Sequence, residues 1–163
     1  MKELNLRNVT IMAAVAMCFI QIGAQLFALT VVASTVSAAP PRSFAILEGE
    51  YRYDSGAFWS IIPPFTFLLL IVALLANWKT ARRNLILFAV AIFIVAGLAA
   101  GLYLEPVFDE MKAIGFLNEI DPALQSRART WYILDWAVWS LGALAGVALI
   151  LALIRPASNK DRT

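Results

Sequence analysis

Four long apolar runs dominate the sequence, separated by shorter polar or proline-bearing stretches. The first extends from Val9 to about Val36 without a charge, the second from about Ala57 to Trp78, and the third from Asn84 to Leu104. The fourth runs from about Trp131 to Ile154 and carries one carboxylate, Asp135. A helix needs about 20 mostly apolar residues to cross about 30 Å of hydrocarbon. The pattern therefore predicts an all-α, integral membrane four-helix bundle forming a single domain, with no charge-free window for a fifth span. At about 1.5 Å per residue the first run is roughly 40 Å long, so it must tilt or protrude. Its small-residue end, Val36-Ser37-Ala38, resembles a cleavage site, but a signal peptide's apolar core is only about 7–15 residues. Gln21 and Gln25 also interrupt it, so a retained helix is expected.

Two of the connections are long. Residues 37–56 contain Pro40-Pro41 and the tract Glu48 to Asp54. In residues 105–130, Val107, Phe108, Met111 and Ile114 recur at helical spacing among charges, which predicts a short interfacial helix. Asp121-Pro122 then reads as a capped helix start projecting about two turns beyond the fourth span. The connection from Lys79 to Arg83 is a tight turn. Pro63-Pro64 removes two amide donors early in the second span and should kink it or end a separate piece. Gly97-x-x-x-Gly101 and Gly142-x-x-x-Gly146 allow close backbone approach in lipid, either within the bundle or as faces of a homo-oligomer.

Composition strengthens the membrane reading. Of 163 residues, 61% are apolar and 15% charged, against about 25% charged in soluble domains. The charges are also segregated. The amino terminus, the 79–83 turn and the tail hold Lys2, Arg7, Lys79, Arg82, Arg83, Arg155, Lys160 and Arg162 against Glu3 and Asp161. The long connections hold Arg42, Arg52, Lys112, Arg127 and Arg129 against eight acids. Basic flanks stay inside, so both termini are expected in the cytoplasm of a multi-pass protein of a plasma or bacterial inner membrane. These charges read as topology signals and give no case for nucleic-acid binding.

The chemistry is restricted by what is missing. There is no histidine, and Cys18 is the only cysteine, so neither a disulfide within the chain nor a Cys-x-x-Cys motif can form. No nucleophile–histidine pair, zinc-ligand spacing, phosphate loop or dinucleotide fingerprint is present, and neither a metal nor a cofactor is expected. Glu48 with Glu50, or Glu105 with Asp109 and Glu110, offer oxygen ligands to a hard cation, but read more simply as solvated faces.

Charge within a span is costly, which makes Asp135 the candidate catalytic or anchoring group. Trp131, Trp139, Gly142 and Gly146 fall on its stripe within about 40° at 100° per residue, so it should face the bundle. It lies about 28 Å from the Ile154 end, near the outer headgroups. Gln21, Gln25, Trp59, Ser60, Tyr103, Glu105 and Tyr132 fall at similar depth on the four spans. Together they form a candidate pocket for a small lipophilic molecule, aromatic-walled with a few convergent polar groups. The competing reading is an interfacial aromatic belt in which Asp135 pairs with Arg127 or Arg129.

Several segments resemble the anthrone oxygenase-like membrane proteins. Gly23-Ala24-Gln25-Leu26-Phe27 followed by Pro40-Pro41-Arg42-Ser43-Phe44 is similar to that family's opening, and Phe58 to Pro64 to its second-span entry. Tyr103-Leu104-Glu105-Pro106-Val107-Phe108-Asp109 resembles its third-span exit, and Arg129-Thr130-Trp131 its fourth-span start. The resemblance implies four spans and, for some members, oxidation of an anthrone to a quinone without an obvious cofactor. The functional expectation is a protein that binds, and in an enzymatic form oxidises, a small lipophilic aromatic molecule. A non-catalytic assembly subunit is the alternative, and a small transporter subunit ranks last, because Gln21 near the midplane cannot titrate.

Overall fold

A computed structural model describes residues 5–157. Lys2, Glu3, Lys160, Asp161 and Arg162, which enter the charge count above, lie outside the described residues. Four helices are long and apolar enough to cross a membrane: α1 (Leu6–Ala38), α2 (Gly56–Ala76), α3 (Arg83–Lys112) and α4 (Pro122–Ile154). They run up and down in a ring in which α1 packs on α2 and α4, and α3 on α4 and, more sparsely, on α2. The described residues form an all-α four-helix bundle of the multi-pass membrane type. Residues such as Leu68, Phe88, Leu98, Leu102, Ile133 and Val147 are left exposed around its perimeter, where lipid solvates them.

The helix bounds refine the expected spans. The interfacial helix foreseen over Val107–Ile114 is present as Glu105–Lys112, but it continues α3 directly through a π-helical stretch, Ala100–Leu104. Pro106 cannot donate to the preceding turn, and a local π adjustment is a common way for a span to absorb that loss. A second π stretch, Ala28–Ala33, lies in α1. Here Thr30, Ser34 and Thr35 each donate a hydroxyl to the carbonyl four residues back, a competition that distorts helices. Pro63-Pro64 does not divide α2, which is continuous across both prolines. The carbonyls of Trp59 and Ser60 are the ones left without an amide donor four residues ahead. α4 begins as expected: the Asp121 carboxylate accepts from Ala123 N at 2.8 Å and Leu124 N at 3.2 Å.

At the end carrying residues 5–8 and 155, here the terminal end, a polar clasp ties the bundle. Arg82, only 5% exposed, donates Nε to Arg155 O at 2.6 Å, one terminal nitrogen to Asn8 Oδ1 at 2.6 Å and the other to Leu153 O at 3.2 Å. Burial, and secondarily the charge of Arg7, hold its pKa below the ordinary guanidinium value, a cost the three hydrogen bonds offset. Buried Asn77 donates to Ala73 O and reaches across to Arg7 O. All four helices are thereby joined within one layer. An apolar core of small and branched residues, including Ile11, Ala14, Leu70, Ala89, Ala148 and Leu149, lies directly above it.

The opposite, loop end is built differently. Its core gathers Leu29, Val36, Phe44, Leu104, Met111, Leu124 and Trp131 around the two long connections. The first connection folds back as a short 3₁₀ turn, Arg42–Leu47, that buries Phe44. It is pinned by Asp121 N donating to Pro40 O at 3.0 Å and Gln125 Nε2 to Ala38 O at 2.7 Å. Gly115, at φ +76°, brings Phe116 N within 2.6 Å of Glu48 Oε1. These contacts fix the rim of a cavity system at the loop end.

Candidate functional site

Asp135 projects inward from α4, where the stripe of Trp131, Trp139 and Gly142 faces the bundle. Its Oδ1 accepts a hydrogen bond from Gln25 Nε2 of α1 at 3.1 Å. The flanking tryptophans hold the α4 face in place. Trp131 Nε1 donates to Leu104 O in the π stretch of α3 at 3.0 Å, and Trp139 Nε1 to Ile22 O of α1 at 3.1 Å. Phe108 stacks on Trp131 with ring centroids 5.0 Å apart. Gly146 admits Phe19 and Ile22 of α1, whose side-chain carbons would stand 3.0–3.3 Å from any Cβ added there. The Gly142/Gly146 stripe thus serves the chain's own α1–α4 contact.

This frame encloses a cavity of about 200 Å³ lined by Gln25, Trp59, Glu105, Trp131 and Asp135, with apolar surface from Ala28, Val32 and Leu104. Both π stretches line it, and widened turns of this kind recur at functional sites. A second cavity of about 190 Å³ lies toward the middle of the bundle, bordered by Gln21, Gln25, Trp59, Pro63, Gly97 and Gly101. A third, wetter space of about 670 Å³ opens at the loop end between Arg52, Asp54, Ser60, Glu105, Asp109 and Lys112. Trp59 and Glu105 border all three.

Of the residues singled out from sequence, Gln25, Trp59, Glu105, Trp131 and Asp135 meet at the first cavity. Gln21 borders the second, with its Oε1 buried and without a hydrogen-bond partner, and Ser60 borders the third. Tyr103 is not brought in. It is 49% exposed, off the face of α3 that carries Gly97, Ala100 and Leu104 to the cavities. Tyr132 packs edge-on against Trp136, and Trp139 acts through its bond to Ile22 rather than as a cavity wall. The expected alternative partners of Asp135 are engaged elsewhere or absent from it: Arg127 pairs with Glu110, and the carboxylate is held by Gln25 instead.

Tyr53, Ser55 and Phe108 complete the first cavity and were not foreseen. Tyr53 arrives on the first connection, which no helical periodicity could have placed. Val32 and Val36, by contrast, follow Gln25 and Ala28 at helical spacing and were legible on the α1 face. Among the acids weighed as cation ligands, Glu48 binds Phe116 N and Asp109 pairs with Lys112 at 3.0 Å. Among the described residues no three potential metal-ligating side chains converge. No protein-family model, curated protein or solved structure matches the chain.

Proposed function

We propose that this chain is an integral membrane protein that binds a small lipophilic aromatic molecule in the cavity between Gln25, Trp59 and Asp135. The observation that carries this reading is the Gln25–Asp135 hydrogen bond set in the wall of an aromatic-lined cavity within the bundle. A carboxylate inside a span is expensive, and its remaining acceptor capacity suits a ligand hydroxyl. The tryptophan and phenylalanine rings supply flat apolar walls, the usual composition of small-molecule sites. In this reading both chain termini are cytoplasmic and the loop end faces outward, supported by the basic residues at the terminal end.

The test is binding of a tritiated lipophilic phenol, para-nonylphenol, to the full chain in lipid nanodiscs. Asp135→Asn should weaken binding about tenfold or more, the loss expected when a charge-assisted hydrogen bond becomes a neutral one. Unchanged affinity would sink the reading. Conversion of an anthrone and dioxygen to the quinone and water by the wild-type chain, lost in the same variant, would extend binding to the oxidation that the anthrone oxygenase-like resemblance implies. Orientation is read independently: Arg52→Cys should react with an impermeant thiol reagent in intact cells, and Lys79→Cys should not.

A further inference from the structure

The three cavities differ in surroundings but share two walls, Trp59 and Glu105. We propose that they form one route by which an amphiphile enters sideways from the bilayer, between α2 and α3, and comes to rest with a hydrogen-bond-donating head at Asp135. This rests on the binding reading above and adds the ligand's class and its direction of entry.

The opening lies where the ring is weakest. Contact between α2 and α3 is the sparsest of the four neighbouring pairs, and the Ala100–Leu104 stretch of α3 makes at most marginal contact with α2. Below that level Phe67 and Phe93 stack with centroids 6.1 Å apart and close the seam. Above that stack, Gly97 and Gly101 border the middle cavity, and nothing lies within 4 Å of where a Cβ would stand on either. Elsewhere in the bundle the equivalent glycine pair is filled by Phe19 and Ile22; here the space is left open.

Polar groups along the route point to the ligand's chemistry. Gln21 borders the middle cavity, with its Oε1 buried and without a hydrogen-bond partner. Further along stand the carboxylates of Glu105 and Asp135, also acceptors. A molecule with an apolar tail and a hydroxyl-bearing ring satisfies this order: the tail lies in the glycine-bordered slot and the head reaches the carboxylates. A head that only accepts hydrogen bonds would find no donor in these carboxylates and would add nothing to the one bond Asp135 already accepts from Gln25.

The experiment compares para-nonylphenol with phenol itself on the nanodisc-embedded full chain. In Gly97→Leu/Gly101→Leu the preference for the tailed probe over phenol should fall about tenfold or more. Gly23→Leu adds similar bulk at another open glycine, on α1 and outside all three cavities, and should leave the preference unchanged. A double variant that keeps the wild-type preference, while Asp135→Asn still weakens binding, overturns the route and spares the site. Asp135→Asn without effect on either probe overturns the site itself. Should the double variant fail to fold, Gly97→Ile alone carries the same comparison. The methyl ether of para-nonylphenol should bind about tenfold more weakly than the phenol, and equal binding would contradict the donor-bearing head.

Discussion

The two ends of the bundle each bury one unpartnered amide oxygen, Asn77 Oδ1 and Gln21 Oε1, but handle charge in opposite ways. At the terminal end Arg82 spends its donors on Arg155, Leu153 and Asn8, and the layer above it is packed with alanine, isoleucine and leucine. At the loop end Asp135 is held by a single bond from Gln25, beside open volume and a ring of aromatic side chains. A saturated polar group rigidifies what it touches, whereas one with spare acceptors is free to engage something else. The terminal end is therefore read as a structural clasp and the loop end as the working part.

That contrast can be broken from either side. The largest effect on stability is expected at the clasp. Arg82→Met removes three part-buried hydrogen bonds and should cost about 3 kcal/mol, lowering the melting temperature by roughly 6–12 °C in nanodiscs. A variant melting like wild type would remove the clasp from the picture. Next comes the glycine contact shared by the two halves. Gly146→Leu drives a side chain into Phe19 and Ile22 and should cost about 2 kcal/mol, by the same melting measurement. Trp131→Phe keeps the stack on Phe108 but loses the bond to Leu104 O, for about 1 kcal/mol. Gln25→Leu removes the donor that holds the partly buried Asp135 carboxylate and should also cost about 1 kcal/mol. The same variant should weaken para-nonylphenol binding severalfold, since Asp135 loses its orienting donor. A large loss of stability with intact binding would reverse the assignment of roles.

How much of this was legible from sequence differs between the two ends as well. The four spans follow from apolar run length, and the inward aim of Asp135 from its stripe with Trp131, Trp139 and Gly142. The Asp121 cap and the existence of a helix after Leu104 were equally readable. The clasp was not, because Arg82 in a chain with basic flanks reads as a topology charge; its partners are backbone carbonyls and Asn8, about 70 residues away, which leave no pattern. Tyr103 was drawn toward the site by its depth alone, which does not say which face of α3 it occupies, and it lies 49% exposed within the π stretch Ala100–Leu104. Tyr53 came in on a loop whose path depends on Phe44 and Pro40 contacts that are tertiary throughout. Periodicity thus carried the helices and failed where placement depends on tertiary contacts.

The central claim is that the loop-end cavity system holds a tailed, hydroxyl-bearing molecule with its head at Asp135. The most direct measurement is photocrosslinking with para-nonylphenol bearing a diazirine at the tail end, followed by peptide mapping of the full chain in nanodiscs. The expected result is labelling of the α2 and α3 residues around Pro63, Phe93 and Gly97, competed away by unlabelled para-nonylphenol and lost in Asp135→Asn. Labelling spread over lipid-facing residues such as Leu68, Phe88 and Val147, indifferent to competitor and to the Asp135 variant, would contradict it.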